Sequence, residues 1–195
     1  LIEITVKGKK NMKILLFGIT NVGKTTIGKL LSEKLNYDFD DLDDEIKRRY
    51  GKIGNFLSKY PYDYARHRKR EEILKEVIDK YEDNVVIAVS PIYYEEFFVE
   101  VLNENNVLAI EIQDEPENVL KRLVYADEND NVFPIQMNTE KEKQYYLNDI
   151  KADIKYYEKV YEKIENKFKI NGKLPNEATD NLVRYIDIIK NRKEN

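Results

Sequence analysis

The sequence predicts an α/β fold built on a parallel sheet, and three observations carry that prediction. Short apolar runs recur along the chain, and each is followed by an amphipathic or charged helical stretch. Such alternation sets strands side by side in parallel, with helices covering both faces. A glycine-containing loop, Gly18-Ile19-Thr20-Asn21-Val22-Gly23-Lys24-Thr25, sits between the first run and the first helical stretch. Finally, 195 residues with 42% apolar content suffice for one domain with a core.

The elements follow in order. Met12–Phe17 is apolar throughout and reads as a buried strand. Thr25–Leu35 places Ile27, Leu30, Leu31 and Leu35 on one helical face. Tyr37–Leu42 reads as a second strand ending in acids, and Asp43–Tyr50 as a helix stopped by Gly51. Tyr64–Tyr81 is a long charged helix that turns Ile73, Leu74, Val77 and Ile78 inward. Val85–Val89 is the most strand-like run, Tyr93–Asn103 is helical in pattern, and Val107–Ile112 is a further strand. Pro116 suits the first turn of a helix over Glu117–Tyr125. Asp127–Asn138 is polar and without period, as a functional loop would be. Thr139–Asn166 is a long helical stretch, whose tyrosines read as core at helical spacing. A short strand at Phe168–Ile170 and a last helix at Pro175–Ile189 complete the pattern. Residues 1–11 precede Met12 and are expected to be an N-terminal extension or an expression remnant; Ile2, Ile4 and Val6 alternate as an added edge strand would. Residues 12–195 are expected to form a single domain, with a lid over about 125–140.

Charge narrows the function. Charged residues make up 36%, yet 33 basic and 37 acidic side chains nearly cancel, at net −4. That balance excludes nucleic acid as the expected partner, because a phosphate backbone demands a basic face. Cysteine is absent and His67 is the only histidine, so disulfides, thiolate metal sites and multi-histidine zinc sites are excluded. No apolar run approaches a membrane span. A cytoplasmic monomer acting on a small anionic molecule is the expected setting.

The loop matches G-x-x-x-x-G-K-[ST] through Gly18, Gly23, Lys24 and Thr25, directly after a strand and opening a helix. Its backbone N–H groups, Asn21 and Val22 among them, would cradle phosphate oxygens, aided by the partial positive charge of the helix start at Thr26. Lys24 would bridge the β- and γ-phosphates of ATP, and the Thr25 hydroxyl would ligate Mg²⁺. Downstream, Phe39-Asp40-Asp41-Leu42-Asp43-Asp44-Glu45-Ile46 carries two acids that strand periodicity sets on one side of an extended end. In a parallel sheet that end faces the ligand crevice. One carboxylate there can hold hydrated Mg²⁺, and its neighbour can take a proton from an attacking hydroxyl.

These two segments resemble the shikimate kinase family, whose P-loop helix is followed by an F-x-D-x-D-type strand end. The resemblance runs on through Arg48-Arg49-Tyr50-Gly51 and spans most of residues 12–190. It implies a three-layer P-loop kinase fold, with a central five-stranded parallel sheet flanked by helices and a mobile lid. It also implies ATP-dependent phosphorylation of a shikimate hydroxyl. On it, Asp41 matches the magnesium-side acid, and Asp43 the acid that binds the substrate hydroxyls and serves catalysis with Lys24. The family's F-R-x-x-E is met by His67-Arg68-Lys69-Arg70-Glu71, which makes Arg68 the expected grip on the substrate carboxylate. Arg122 matches an arginine lying against the nucleotide, while Lys173 and Pro175 resemble the adenine-flanking loop.

The sequence departs from the family in three places. A Gly-Gly-Gly run is replaced by Ala88-Val89-Ser90-Pro91, and an R-P-L in the lid by Phe133-Pro134-Ile135. A substrate-binding arginine aligns near Asp153. Asp127, Glu128 and Asp130 give the lid acidic character, the wrong sign beside a triphosphate, and Lys141, Lys143 and Lys155 are the nearest replacement cations. Two alternatives therefore stand beside shikimate: another hydroxylated or nucleotide-like acceptor, or a regulatory nucleotide-binding protein with little catalysis.

Overall fold

The computed structural model describes residues 11–92, 100–102, 104, 106–127 and 129–193. Its centre is a five-stranded, all-parallel sheet of β1 (Lys13–Phe17), β2 (Asp38–Asp41), β3 (Val85–Ala88), β4 (Val107–Gln113) and β7 (Asn166–Lys169), in the spatial order β2-β3-β1-β4-β7. β1 lies at the middle because its five residues are apolar or aliphatic-stemmed and can be buried on both sides. Its alternation divides the core in two. Ile14 and Leu16 face one helical layer with Ile27, Leu31, Leu182 and Ile186; Leu15 and Phe17 face the other with Leu42, Ile46, Phe56, Leu74 and Val77. The first layer is α1 (Lys24–Leu35) packed on α7 (Pro175–Lys193); the second holds α2 (Leu42–Tyr50), α3 (Ile53–Lys59) and α4 (Asp63–Lys80). This is the predicted three-layer arrangement.

Differences cluster after β4. The helix expected over Glu117–Tyr125 is only α5 (Pro116–Leu120), with Pro116 in its first turn as anticipated. Val124–Ala126 leaves it as β5 and pairs antiparallel with β6 (Val132–Pro134). The polar stretch 127–138 therefore hides half of a hairpin. Its strands are three residues each with every residue exposed, too short and too wet to leave a periodic signal. The long helix is α6 (Glu140–Val160), opened by a capping box between Thr139 and Glu142, and it stops before Asn166 because Asn166–Lys169 joins the sheet. Its tyrosines are not uniformly core: Tyr161, just past the helix end, is fully buried, whereas Tyr145 and Tyr156 are exposed. Gly51 ends α2 as expected. The anticipated edge strand at Ile2, Ile4 and Val6 lies outside the described residues, as does most of the helix expected over Tyr93–Asn103, of which residues 100–102 are helical. Among the described residues no helix is long and apolar enough to cross a membrane.

Candidate active site

The phosphate loop is built by a close approach. Gly18 leaves β1 at φ 141°, and a Cβ there would stand 2.5 Å from the Ile112 carbonyl of β4, so only glycine lets the loop turn against the sheet. Gly23 then caps α1 without a side-chain hydrogen bond. The first-turn N–H groups of α1 are thus left to a ligand, and an anion is the ligand the helix dipole favours. Lys24 is 9% exposed, and its Nζ donates to the carbonyls of Gly18 (3.0 Å) and Ile19 (2.8 Å), which hold it over the loop. Burial pulls its ammonium down to about 8, while Asp43 and Asp41 act in the opposite sense.

The acids converge by a route other than the expected one. Asp41 ends β2, but Asp43 is already in the first turn of α2, so no extended segment sets the two on one side. Asp41 instead caps α2: one carboxylate oxygen accepts the Asp43 N–H at 2.9 Å, and the other accepts the Thr25 hydroxyl at 2.7 Å. One side chain thus ties helix α2 to the phosphate loop. Burial raises the Asp41 carboxyl above the usual range, the Thr25 hydrogen bond lowers it, and Asp43 raises it further. Its neighbour Asp40 has the opposite surroundings: despite burial, hydrogen bonds from Arg48, Tyr81 and the Asp41 N–H hold it below the usual range. Asp40 is therefore a structural anchor.

Among the described residues, three of the cavities at the carboxyl ends of the strands bear on the site. The first, about 360 Å³, is formed by Thr20, Asn21, Gly23 to Thr26, Asp41, Asp43, Ala88 to Pro91, Arg122 and Val124. The second, about 350 Å³, adjoins it through Gly23, Thr26 and Arg122, and is closed by Lys173, Leu174 and Pro175. The third, about 510 Å³, shares Asp43 with the first and runs under the β5–β6 hairpin to Lys47, Gly54, Leu57 and Arg70. The predicted nucleotide residues thus surround two adjoining cavities, with Val22 buried beneath them and Gly18 behind. Asp43 is the hinge between the first cavity and the third.

Arg68, the expected grip on the substrate carboxylate, lines none of these three cavities. It is exposed, and its guanidinium carbon lies 5.9 Å from the Tyr64 ring centroid. Arg70 lines the third cavity instead. Burial lowers its guanidinium, the charge of Asp43 raises it, and its Nε is buried without a hydrogen-bond partner. Helical spacing could have found it: buried His67, Glu71, Leu74 and Ile78 mark the inner face of α4, which Arg70 shares and Arg68 does not. Lys47, on α2, is the second cation missed. Lys141, Lys143 and Lys155 are exposed on α6, as is Asp153, and none lines these cavities.

The acidic lid residues have local tasks. Asp127 accepts the N–H groups of Asn129 (2.8 Å) and Asn131 (2.9 Å) inside the turn. Asp130 accepts the Ile53 N–H at 3.1 Å and so caps α3, while Lys52 donates to Asn129 at 2.5 Å. These bonds close the hairpin over the third cavity. Glu128 lies outside the described residues.

A family model described as shikimate kinase matches residues 20–187. The chain belongs to the shikimate kinase family. Shikimate kinase from Caldicellulosiruptor saccharolyticus is 34% identical over 131 residues, which are 66% of this chain and 71% of that one. The bifunctional shikimate kinase/3-dehydroquinate synthase of Thermotoga maritima is 42% identical over 78 residues, 40% of this chain but only 15% of that protein. The crystal structure of shikimate kinase from Bacteroides thetaiotaomicron superposes with a TM-score of 0.71 at 23% identity, covering 90% of this chain and 98% of that one. The five-stranded parallel core is thus that of a P-loop kinase.

Proposed function

We propose that the chain transfers the γ-phosphoryl group of ATP to a ring hydroxyl of shikimate. The observation that carries this is the position of Asp43, shared by the phosphate-loop cavity and the cavity that holds Arg70. A nucleotide filling the two adjoining cavities would direct its terminal phosphate towards Lys24, with Arg122 beside it and its base against Lys173 and Pro175. A hydroxylated carboxylate in the third cavity would meet Arg70 at one end and Asp43 at the other. In the transfer, the acceptor oxygen bonds to the γ-phosphorus as the bridge to the β-phosphate breaks. The hydroxyl proton passes to Asp43, and Lys24 neutralises charge on the transferring group.

Thr25 and Asp41 fit a magnesium ion: their oxygens lie 2.7 Å apart beside the loop, and burial leaves the Asp41 carboxylate short of countercharge. Among the described residues no group of three His, Cys, Asp or Glu is arranged to hold a metal. Magnesium suits such a site, because it takes one or two protein oxygens and completes its shell with water and phosphate. When bound it would supply charge neutralisation at the phosphates.

A second reading keeps the chemistry and changes the acceptor. It is favoured by Ser90 and Pro91, which stand at the cavity wall where the resemblance implies glycines, and Pro91 lacks an N–H. An ADP-release assay with Mg·ATP, run with and without shikimate and with Lys24→Ala as blank, tests both. Shikimate-stimulated turnover that the blank lacks is expected. ATP binding without stimulation would overturn shikimate as acceptor and move the search to other polyols.

A further inference from the structure

Asp114 lines a separate cavity of about 320 Å³, beside Ile19, Val22 and Gln113, and belongs to no part of the site assigned so far. It follows β4 directly, and its side chain is fully buried. One carboxylate oxygen accepts three hydrogen bonds, from the Glu115 N–H (2.9 Å), the Asn118 side-chain amide (3.1 Å) and the Gly172 N–H (3.0 Å). The other accepts Arg122 Nη2 at 2.7 Å. These donors come from different walls: Asn118 from α5, Gly172 from the loop between β7 and α7, and Arg122 from the root of the β5–β6 hairpin. Asn118, Arg122 and Gly172 all line the second cavity.

The Gly172 contact is tight from its own side. Asn171 and Gly172 both have positive φ, 55° and 68°, and a Cβ on Gly172 would lie 2.8 Å from the Asn118 amide nitrogen. The loop is therefore seated on the Asp114–Asn118 pair and has no room for a larger residue. Lys121 bonds Asn118 from the far side at 3.2 Å. The burial is not wasted on an unpaired charge, since four donors hold Asp114 below the usual carboxylate range despite it.

We infer that Asp114 is a positioning residue for the nucleotide. It fixes the loop that flanks the base and the guanidinium of Arg122 in one frame, so that base contact and phosphate contact are set together. It touches no ligand itself. The inference rests on the proposal that the second cavity receives the base of ATP.

The test compares Mg·ATP with Mg·tripolyphosphate, which has the phosphates and no base, by calorimetry on the full chain. Wild type is measured beside Asp114→Asn, which keeps shape and loses charge, and beside Gly172→Ala, which keeps the Asp114 carboxylate and unseats the loop from it. ATP is expected to weaken about tenfold in both variants, the loss appropriate to a disrupted charged hydrogen-bond cluster. Tripolyphosphate is expected to weaken less than about twofold in Gly172→Ala, and less than ATP in Asp114→Asn. Equal losses for the two ligands would show a merely structural role and overturn the inference, as would unchanged ATP binding. If Asp114→Asn does not fold, Gly172→Ala decides alone. A wild type that binds neither ligand removes the nucleotide reading, and this inference with it.

Discussion

The phosphate loop and the cavity proposed for the acceptor are built on opposite principles. The loop is eight consecutive residues fixed by one strand and one helix, and its lysine is held by carbonyls five and six positions away. The proposed acceptor cavity draws on α2, α3, α4 and the hairpin, with partners as distant as Ile53 and Asp130. A local motif preserves its geometry when the rest of the chain drifts. A cavity assembled from four elements changes whenever one side chain on any of them does. The contrast teaches why the nucleotide half matches a contiguous motif while the proposed acceptor half must be read from residues scattered over several elements.

The largest effect should come from the residue the two halves share. Asp43→Asn is expected to lower kcat by roughly 10²–10⁴-fold while Mg·ATP affinity stays within about threefold. Paired turnover and binding measurements check this, and equal loss of both would return Asp43 to the nucleotide half. Next comes the arginine. Arg70→Gln should raise the acceptor KM by about ten- to a hundredfold with the ATP KM unchanged, whereas Arg68→Gln should move neither beyond about twofold. The reverse pattern would restore Arg68.

Such a contrast shows how far the sequence could be read. The sheet, its central strand and the phosphate loop were legible because each is encoded in adjacent residues, as Met12–Phe17 and Gly18–Thr25 illustrate. The convergence of Asp41 and Asp43 was anticipated for the wrong reason, since a helix cap, not a strand, brings them together. The motif match points to Arg68, whereas the spacing of His67, Leu74 and Ile78 puts Arg70 on the inner face of α4. The β5–β6 hairpin and Asp114 were not legible. Both depend on pairings between segments, and a three-residue exposed strand or a lone aspartate carries no period.

Two smaller effects are read by pH. Lys24 in the folded chain gives up its proton near pH 8, below its ordinary value of 10.5. The unfolded chain binds the extra proton between those values, so stability without nucleotide should rise with pH across that window. Phosphates favour the charged form, so Mg·ATP binding near pH 8 should take up a fraction of a proton and weaken by up to about tenfold per unit above it. Calorimetry in buffers of different ionisation enthalpy measures this uptake. The smallest effect belongs to His67, which burial, with help from Arg70, lowers to about 4 from 6.5. Its contribution is present above 6.5 and lost as pH falls towards 4, at up to about 1.4 kcal/mol per pH unit. His67→Phe should flatten that part of a denaturation profile.

The bond from Ile53 to Asp130 bears on exchange between relatives. Helix α3 begins at Ile53 after an N-cap, Lys52, whose side chain makes no capping hydrogen bond, and its first N–H is met by the hairpin instead. The hairpin is consequently not an interchangeable part. Grafting another family member's lid onto this chain would replace a roof and remove the end-piece of a helix beneath it. A transplanted lid would therefore need an acceptor at position 130 before its own contacts to a substrate could be compared.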